Sequence, residues 1–179
     1  MRKVLYILGQ LHDDDIEWMT EAGYNENVAA KDTIIKAGLK SENLFIILSG
    51  SFEVLAGDSQ IAVLQNGEIL GEMSFVESAP PDVHVRAIED SFVLRIPHQA
   101  THNRMDECPA FAARMYRAIA MFLSGRLRKT ITSMGYGPDQ LELDDYDPME
   151  EDELDLELLD SLELAGERFQ RIIKKLGEK

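Results

Sequence analysis

The sequence predicts a mainly β fold with flanking helices, and two observations carry that prediction. From Asn27 to about Ile96, short apolar runs alternate with Gly, Asn, Asp and Pro. From Pro109 the apolar residues instead recur every three or four positions, the period of a helix face. Regular short strands separated by turn residues argue for an antiparallel sandwich or barrel.

The strand-like runs are Thr33–Ile35, Leu44–Leu48, Phe52–Leu55, Ile61–Leu64, Val83–Ala87 and Phe92–Ile96. Between them stand Gly38, Ser49-Gly50, Gly57-Asp58, Asn66-Gly67, Ala79-Pro80-Pro81 and Glu89-Asp90. Leu48-Ser49-Gly50-Ser51 reads as a hairpin tip, where glycine reaches positive φ at little cost. Ahead of this region, Asp13, Asp14 and Asp15 precede Ile16, Trp18, Met19 and Ala22. Acids before an amphipathic stretch mark a helix start, and Gly23 marks its end.

Pro109 opens a helix to about Ile131, since proline's missing N–H is harmless in the first turn. Phe111, Met115, Ile119, Phe122 or Leu123, Leu127 and Ile131 form one broad stripe that must be buried against something. The stripe exceeds what one small roll needs, so a homodimer through residues 109–131 is expected. Gly135-Tyr136-Gly137-Pro138 ends the segment.

Residues 139–163 then hold 13 acids and no base. The expected organisation is a domain over 1–132, a mobile acidic linker over 133–157 and an amphipathic helix over 158–179. Leu158, Leu162, Ala165, Phe169, Ile172 and Leu176 give that helix its apolar face, and Arg168, Arg171, Lys174 and Lys175 suit its C-terminal end. A helix of this length is not stable alone, so it should dock on its own roll, a second subunit or a protein partner. Screening of acidic repulsion predicts that salt strengthens docking on its own roll.

The chain has 179 residues with a net charge of −15. No concentrated basic face is evident, which disfavours direct nucleic-acid binding. No apolar run approaches the ~20 residues of a membrane-spanning helix. Cys108 is the single cysteine, so neither an internal disulfide nor a cysteine-built zinc site is possible within the chain. The expected compartment is the cytoplasm. His98 and His102 have His-x-x-x-His spacing, but Pro97 and the polar residues between them suggest a loop or short turn rather than a metal pair. Nucleophile-elbow and EF-hand spacings are absent, so enzyme chemistry and calcium binding are unsupported.

The most informative stretch is Asn66-Gly-Glu-Ile-Leu-Gly-Glu-Met-Ser-Phe75. Gly71, Glu72, Met73 and Ser74 break the strand pattern. Successive backbone N–H groups after a glycine can nest an anion, and a neighbouring carboxylate can accept from a sugar hydroxyl. The alternative is that Gly71 only turns the chain and Glu72 is solvated.

Together with Ile35-Ile-Lys-Ala-Gly38, Leu44-Phe-Ile-Ile-Leu-Ser-Gly50 and the helix from Pro109, this stretch resembles the cyclic nucleotide-binding domain of the catabolite-activator type. The resemblance spans about residues 6–131. It implies a β-jelly roll with flanking helices, a long last helix that often makes a dimer, and Glu72 as a ribose ligand. In that family an arginine pairs with the cyclic phosphate. Here the matching position is Pro81, followed by Asp82. Proline donates nothing, and aspartate repels phosphate. If Val83–Ala87 is a strand, His84 and Arg86 share one face while Val83 and Val85 share the other. His84 or Arg86 could replace the missing cation, or both could be exposed strand residues.

The candidate pocket is thus Gly71, Glu72, Met73, Ser74, Val83, His84 and Arg86, with a cyclic nucleotide or another small phosphate-containing ligand as possible occupant. The resulting expectation is a non-enzymatic regulatory or sensor domain without the family's DNA-binding domain, with cyclic AMP and cyclic GMP binding weak or absent. The alternative is an interaction or dimerisation scaffold that binds no nucleotide, with a protein partner at the acidic tail.

Overall fold

The computed structural model describes residues 5–133 and 156–177. Two helices lead, α1 (Leu5–Gln10) and α2 (Asp13–Ala22). Helix α2 starts at the three aspartates, and Asp15 Oδ2 accepts from the His12 amide at 2.8 Å, satisfying a donor at the helix start. Eight strands follow: β1 (Tyr24–Val28), β2 (Thr33–Ile35), β3 (Asn43–Ser49), β4 (Phe52–Ala56), β5 (Ser59–Leu64), β6 (Ile69–Leu70), β7 (His84–Ala87) and β8 (Ser91–Pro97). The short α3 (Glu72–Glu77) sits between β6 and β7. Helices α4 (His98–Glu107), α5 (Pro109–Ser133) and α6 (Leu156–Gly177) complete the described chain.

The strands form two four-stranded antiparallel sheets, ordered β1-β8-β3-β6 and β2-β7-β4-β5. This is the jelly-roll arrangement the resemblance implied. One detail differs from the sequence expectation. Strands β3 and β4 belong to different sheets, so Ser49-Gly50-Ser51 is a corner between sheets and not a hairpin tip. Gly50 turns it at φ +92°, and a Cβ there would come within 2.1 Å of Ser91 Oγ.

Alternation along β3 divides the interior. Phe45 and Ile47 point between the sheets, where they meet Phe52, Leu70, Val85 and Val93. Leu44, Ile46 and Leu48 point the other way, onto the helices. The α5 stripe closes that second core: Phe111, Met115, Ala118, Ile119 and Phe122 are all buried within one chain. The expectation that this stripe is surplus is therefore corrected for those residues. Helices α1, α2 and α6 add enough apolar surface to one side of the roll to use it up. Leu127, by contrast, is 61% exposed, and Ile131 is exposed as well.

Helix α6 begins two residues before its predicted start and docks on α1 and α2. The predicted linker falls almost entirely at 134–155, outside the described residues. No helix among the described residues is long and apolar enough to cross a membrane.

Candidate functional site

Strand β6 ends in the segment singled out by sequence. Gly71 has φ +82°, and a Cβ at that position would lie 2.4 Å from the Asn43 carbonyl oxygen. Only glycine combines the left-handed backbone with that approach. The turn launches α3 and places Glu72 inward, where it is 3% exposed. Ser74 and Phe75 are buried beside it, and Met73 faces solvent.

Glu72 is not solvated, and its partner lies far along the chain. Arg126 on α5 donates from Nη1 to Glu72 Oε1 at 2.5 Å. The Arg126 guanidinium also lies 4.7 Å from the Phe122 ring centroid, so the helix that carries it also supports it. Burial pushes the Glu72 carboxyl above its usual range, the Arg126 charge pulls against that, and nearby Glu68 adds to the rise. Glu68 is itself buried, with Oε2 accepting from the Gln65 amide at 2.6 Å. Two buried carboxylates and one guanidinium thus converge where the cassette meets α5. Glu72 can accept from a ligand hydroxyl only if it shares or loses Arg126.

Downstream, Ser78 ends α3 in the left-handed region. The Pro81 carbonyl accepts from the Gly38 amide at 2.8 Å, and Asp82 is exposed. Val83 packs half-buried on the core between the sheets. Val85 and Ala87 face that core, so His84 and Arg86 lie on the outer face of the second sheet. Their partners are not cassette residues. His84 Nδ1 accepts from the Ala37 amide at 3.2 Å, and Arg86 Nε donates to Glu53 Oε1 at 2.7 Å.

Two of the concavities on the described surface lie away from the cassette. One of about 440 Å³ lies between edge strands β1 and β2, with Lys36, Phe45 and Arg95 in its wall. The other, of about 330 Å³, lies on the outer face at His84 and Arg86. Neither is lined by Gly71, Glu72, Met73 or Ser74.

Sequence reasoning missed Arg126, because nothing in one chain's spacing ties a helix cation to a carboxylate 54 residues earlier. It also placed His98 and His102 in a loop or short turn. They lie on α4, one turn apart, and their rings pack on Phe75: His102 stacked with centroids 4.5 Å apart, His98 edge-on at 5.1 Å. Their shared face backs the cassette helix. Among the described residues no cluster of three or more His, Cys, Asp or Glu is arranged to hold a metal.

Comparison with known proteins agrees with this geometry. Residues 25–108 match the family model of the cyclic nucleotide-binding domain. An uncharacterized NTE family protein of Mycobacterium tuberculosis is 25% identical over 118 residues, covering 65% of this chain and 20% of that protein. The chain thus spans about a fifth of that relative's length. The cAMP-activated global transcriptional regulator CRP of Salmonella typhimurium is 24% identical over 150 residues, covering 72% of this chain and 71% of the regulator. A cyclic nucleotide-binding domain from Methylobacillus flagellatus has the same fold, with a TM-score of 0.67 at 16% identity, covering 78% of this chain and 85% of that one. The jelly roll and the glycine-glutamate cassette lie within the matched stretch, the long closing helix follows it directly, and the fold of residues 25–108 is that of a CRP-like cyclic nucleotide-binding domain.

Proposed function

We propose that this chain is a non-enzymatic regulatory module whose cassette is held by its own α5 and does not take cyclic AMP or cyclic GMP in the family's manner. The observation that carries this reading is the Glu72–Arg126 ion pair. A ribose hydroxyl must share or displace a charged partner on a carboxylate buried in low dielectric, where that pairing is strong. The missing phosphate arginine adds to the cost. Pro81 offers no donor, and losing one charge-assisted contact removes ~2–3 kcal/mol, roughly two decades in affinity. His84 and Arg86, on the outer face, support no replacement of that contact.

Calorimetry on the intact protein tests the reading. Cyclic AMP and cyclic GMP are expected to show no binding in the low-micromolar range, and low-micromolar binding of either would overturn it. The Glu72–Arg126 pair also joins the cassette to the closing helix. Whatever opens it, whether a different ligand or a protein, would change how α5 is held, and this is the physical basis for a regulatory role. A scaffold that binds nothing at the cassette is the second reading. The buried, already paired state of Glu72 favours it.

Pairing of two copies through α5 belongs to the same proposal, on a face that shares only Leu127 and Ile131 with the stripe the sequence pointed to. Tyr116, Ala120, Leu127 and Ile131 are exposed and lie along the side of α5 turned away from its buried stripe. One helix with apolar faces on two sides can serve its own core and a symmetric neighbour. Light scattering is expected to give a dimer mass at tens of micromolar, and Leu127→Asp to reduce it to the monomer. A wild-type monomer, or a dimer that Leu127→Asp leaves intact, would refute the pairing.

A further inference from the structure

Strand β8 turns a charge toward the space between the sheets. Val93 faces that core, Leu94 and Ile96 face the helices, and alternation puts Arg95 on the Val93 side. Register sets Tyr24, Arg95 and Phe45 in one row across β1, β8 and β3. The Arg95 guanidinium lies 5.6 Å from the Tyr24 ring centroid and 5.5 Å from that of Phe45. Its Nη1 donates to Glu26 Oε2 at 2.9 Å. Asn43, with its amide oxygen turned to the guanidinium, accepts from Nε at 3.3 Å and Nη2 at 3.0 Å. Two rings, a carboxylate and an amide thus fix a planar cation, and N–H donors of its fork remain to be used.

Arg95 lines the cleft of about 440 Å³ between β1 and β2, and β2 with the turn before it brings two lysines to the same cleft. Lys31 and Lys36 are exposed, and neither has an ion-pair partner among the described residues. Lys31 also stands in the left-handed region at φ +74°, where its amide donates to the Ala87 carbonyl at 2.8 Å. Glycine or asparagine would hold that conformation with less strain, so a lysine there implies a use for its side chain. Thr33 adds a hydroxyl to the wall. Glu26 and Asp32 are the acids of the cleft, and Glu26 is already engaged by Arg95. In a chain of net charge −15, this wall is a local excess of positive charge.

We propose that this cleft binds a small phosphate monoester that carries hydroxyl groups. Lys31, Lys36 and the remaining edge of Arg95 meet the phosphate, as ammonium groups and a guanidinium fork suit it. A carboxylate offers one charge and two oxygens. A phosphate monoester offers about two charges and three terminal oxygens, which matches three cations. Asp32 accepts from the ligand's hydroxyls. A bound molecule joins the edge strand of one sheet to the edge strand of the other. The cleft shares no lining residue with Gly71–Ser74 or with α5, so this inference is independent of the cassette and of α5 pairing.

The test uses the full chain, with glycerophosphate as probe and glycerol and succinate beside it. At low salt, an NMR titration with glycerophosphate is expected to shift the amides of residues 26–36 and of Arg95 saturably. Inorganic phosphate should compete, glycerol should shift nothing, and succinate should bind at least about tenfold more weakly. Lys36→Ala is expected to weaken glycerophosphate binding about tenfold, and Arg95→Lys by as much. Arg117→Gln, which removes an exposed cation on α5, should leave it unchanged. Lys31→Gly separates a ligand role from a purely structural one. It should weaken binding while the protein melts at the same or a higher temperature, because glycine relieves the left-handed strain. Absence of glycerophosphate binding, or succinate binding as tight, would overturn the proposal. So would an affinity that Lys31→Gly and Lys36→Ala leave unchanged, or one that Arg117→Gln abolishes.

Discussion

Arg114→Ala is expected to lower stability by about 3–5 kcal/mol, the typical cost of stranding one partner of a buried ion pair. Asp15 is 1% exposed, and Arg114 grips it twice, Nε to Oδ2 at 2.7 Å and Nη2 to Oδ1 at 2.8 Å. Burial alone would push the Asp15 carboxyl up. The guanidinium and the His12 amide outweigh it, and the group titrates below its usual range. Without Arg114 the charge must stay unpaired or take up a proton, and the pair that pins α2 to α5 is lost. In a chain of this size the loss is roughly 10 °C in melting temperature. Urea unfolding measures it. Asp15→Asn with Arg114→Met should cost less than the sum of the single changes. A loss under 1 kcal/mol for Arg114→Ala would show that water reaches Asp15.

Mild acid should weaken the fold through His98. His98 is 8% exposed, and its buried Nε2 has no hydrogen-bond partner among the described residues. Burial, the neighbouring His102 charge and Lys40 hold its imidazole down at about 4, against 6.5 for the free side chain. The folded state therefore favours neutral His98. Its stabilising share is complete above pH 6.5, where the unfolded chain is neutral too, and drains as pH falls from 6.5 toward 4. By pH 4.5 the loss is about 2–3 kcal/mol, at 1.36 kcal/mol per pKa unit. The Asp15 carboxyl is shifted in the same direction, down, so its contribution is likewise present at higher pH, holds above the carboxylate range and is lost only at lower pH. Urea midpoints from pH 7 to 4.5 should fall in the wild type and much less in His98→Phe. Parallel curves for the two proteins would place the acid-sensitive group elsewhere.

Local order was legible in the sequence, and partnership was not. Helix α2 occupies the ten residues expected of it, and Pro109 opens α5, because acids at a helix start and proline in a first turn act through their own backbone. Six strands appear where apolar runs were bounded by glycine, proline or aspartate. Strand β1 was missed because Tyr24-Asn-Glu-Asn has no apolar alternation, and it owes its strand state to pairing with β8. Helix α4 was missed because His98-Gln-Ala-Thr looks like turn chemistry, although its buried His98, Thr101 and Met105 recur at helical spacing. At the cassette, the strain at Gly71 could be read from its neighbours. The identity of the group facing Glu72 could not, since it depends on how α5 crosses the roll.

The order in which this chain is made sets a risk that its finished form conceals. Arg168 bonds Asp13 across 155 residues of sequence. At ~5–20 residues per second of synthesis, roughly 8–30 s separate the making of one from the other. In the later part of that interval the roll can close, since β8 completes its pairing with β1 and β3 well before α6 exists. A nascent chain halted before Leu156 is therefore a folded roll with a bare, acidic and partly greasy helix pair. A holdase or protease could distinguish that product from the full chain by this surface alone.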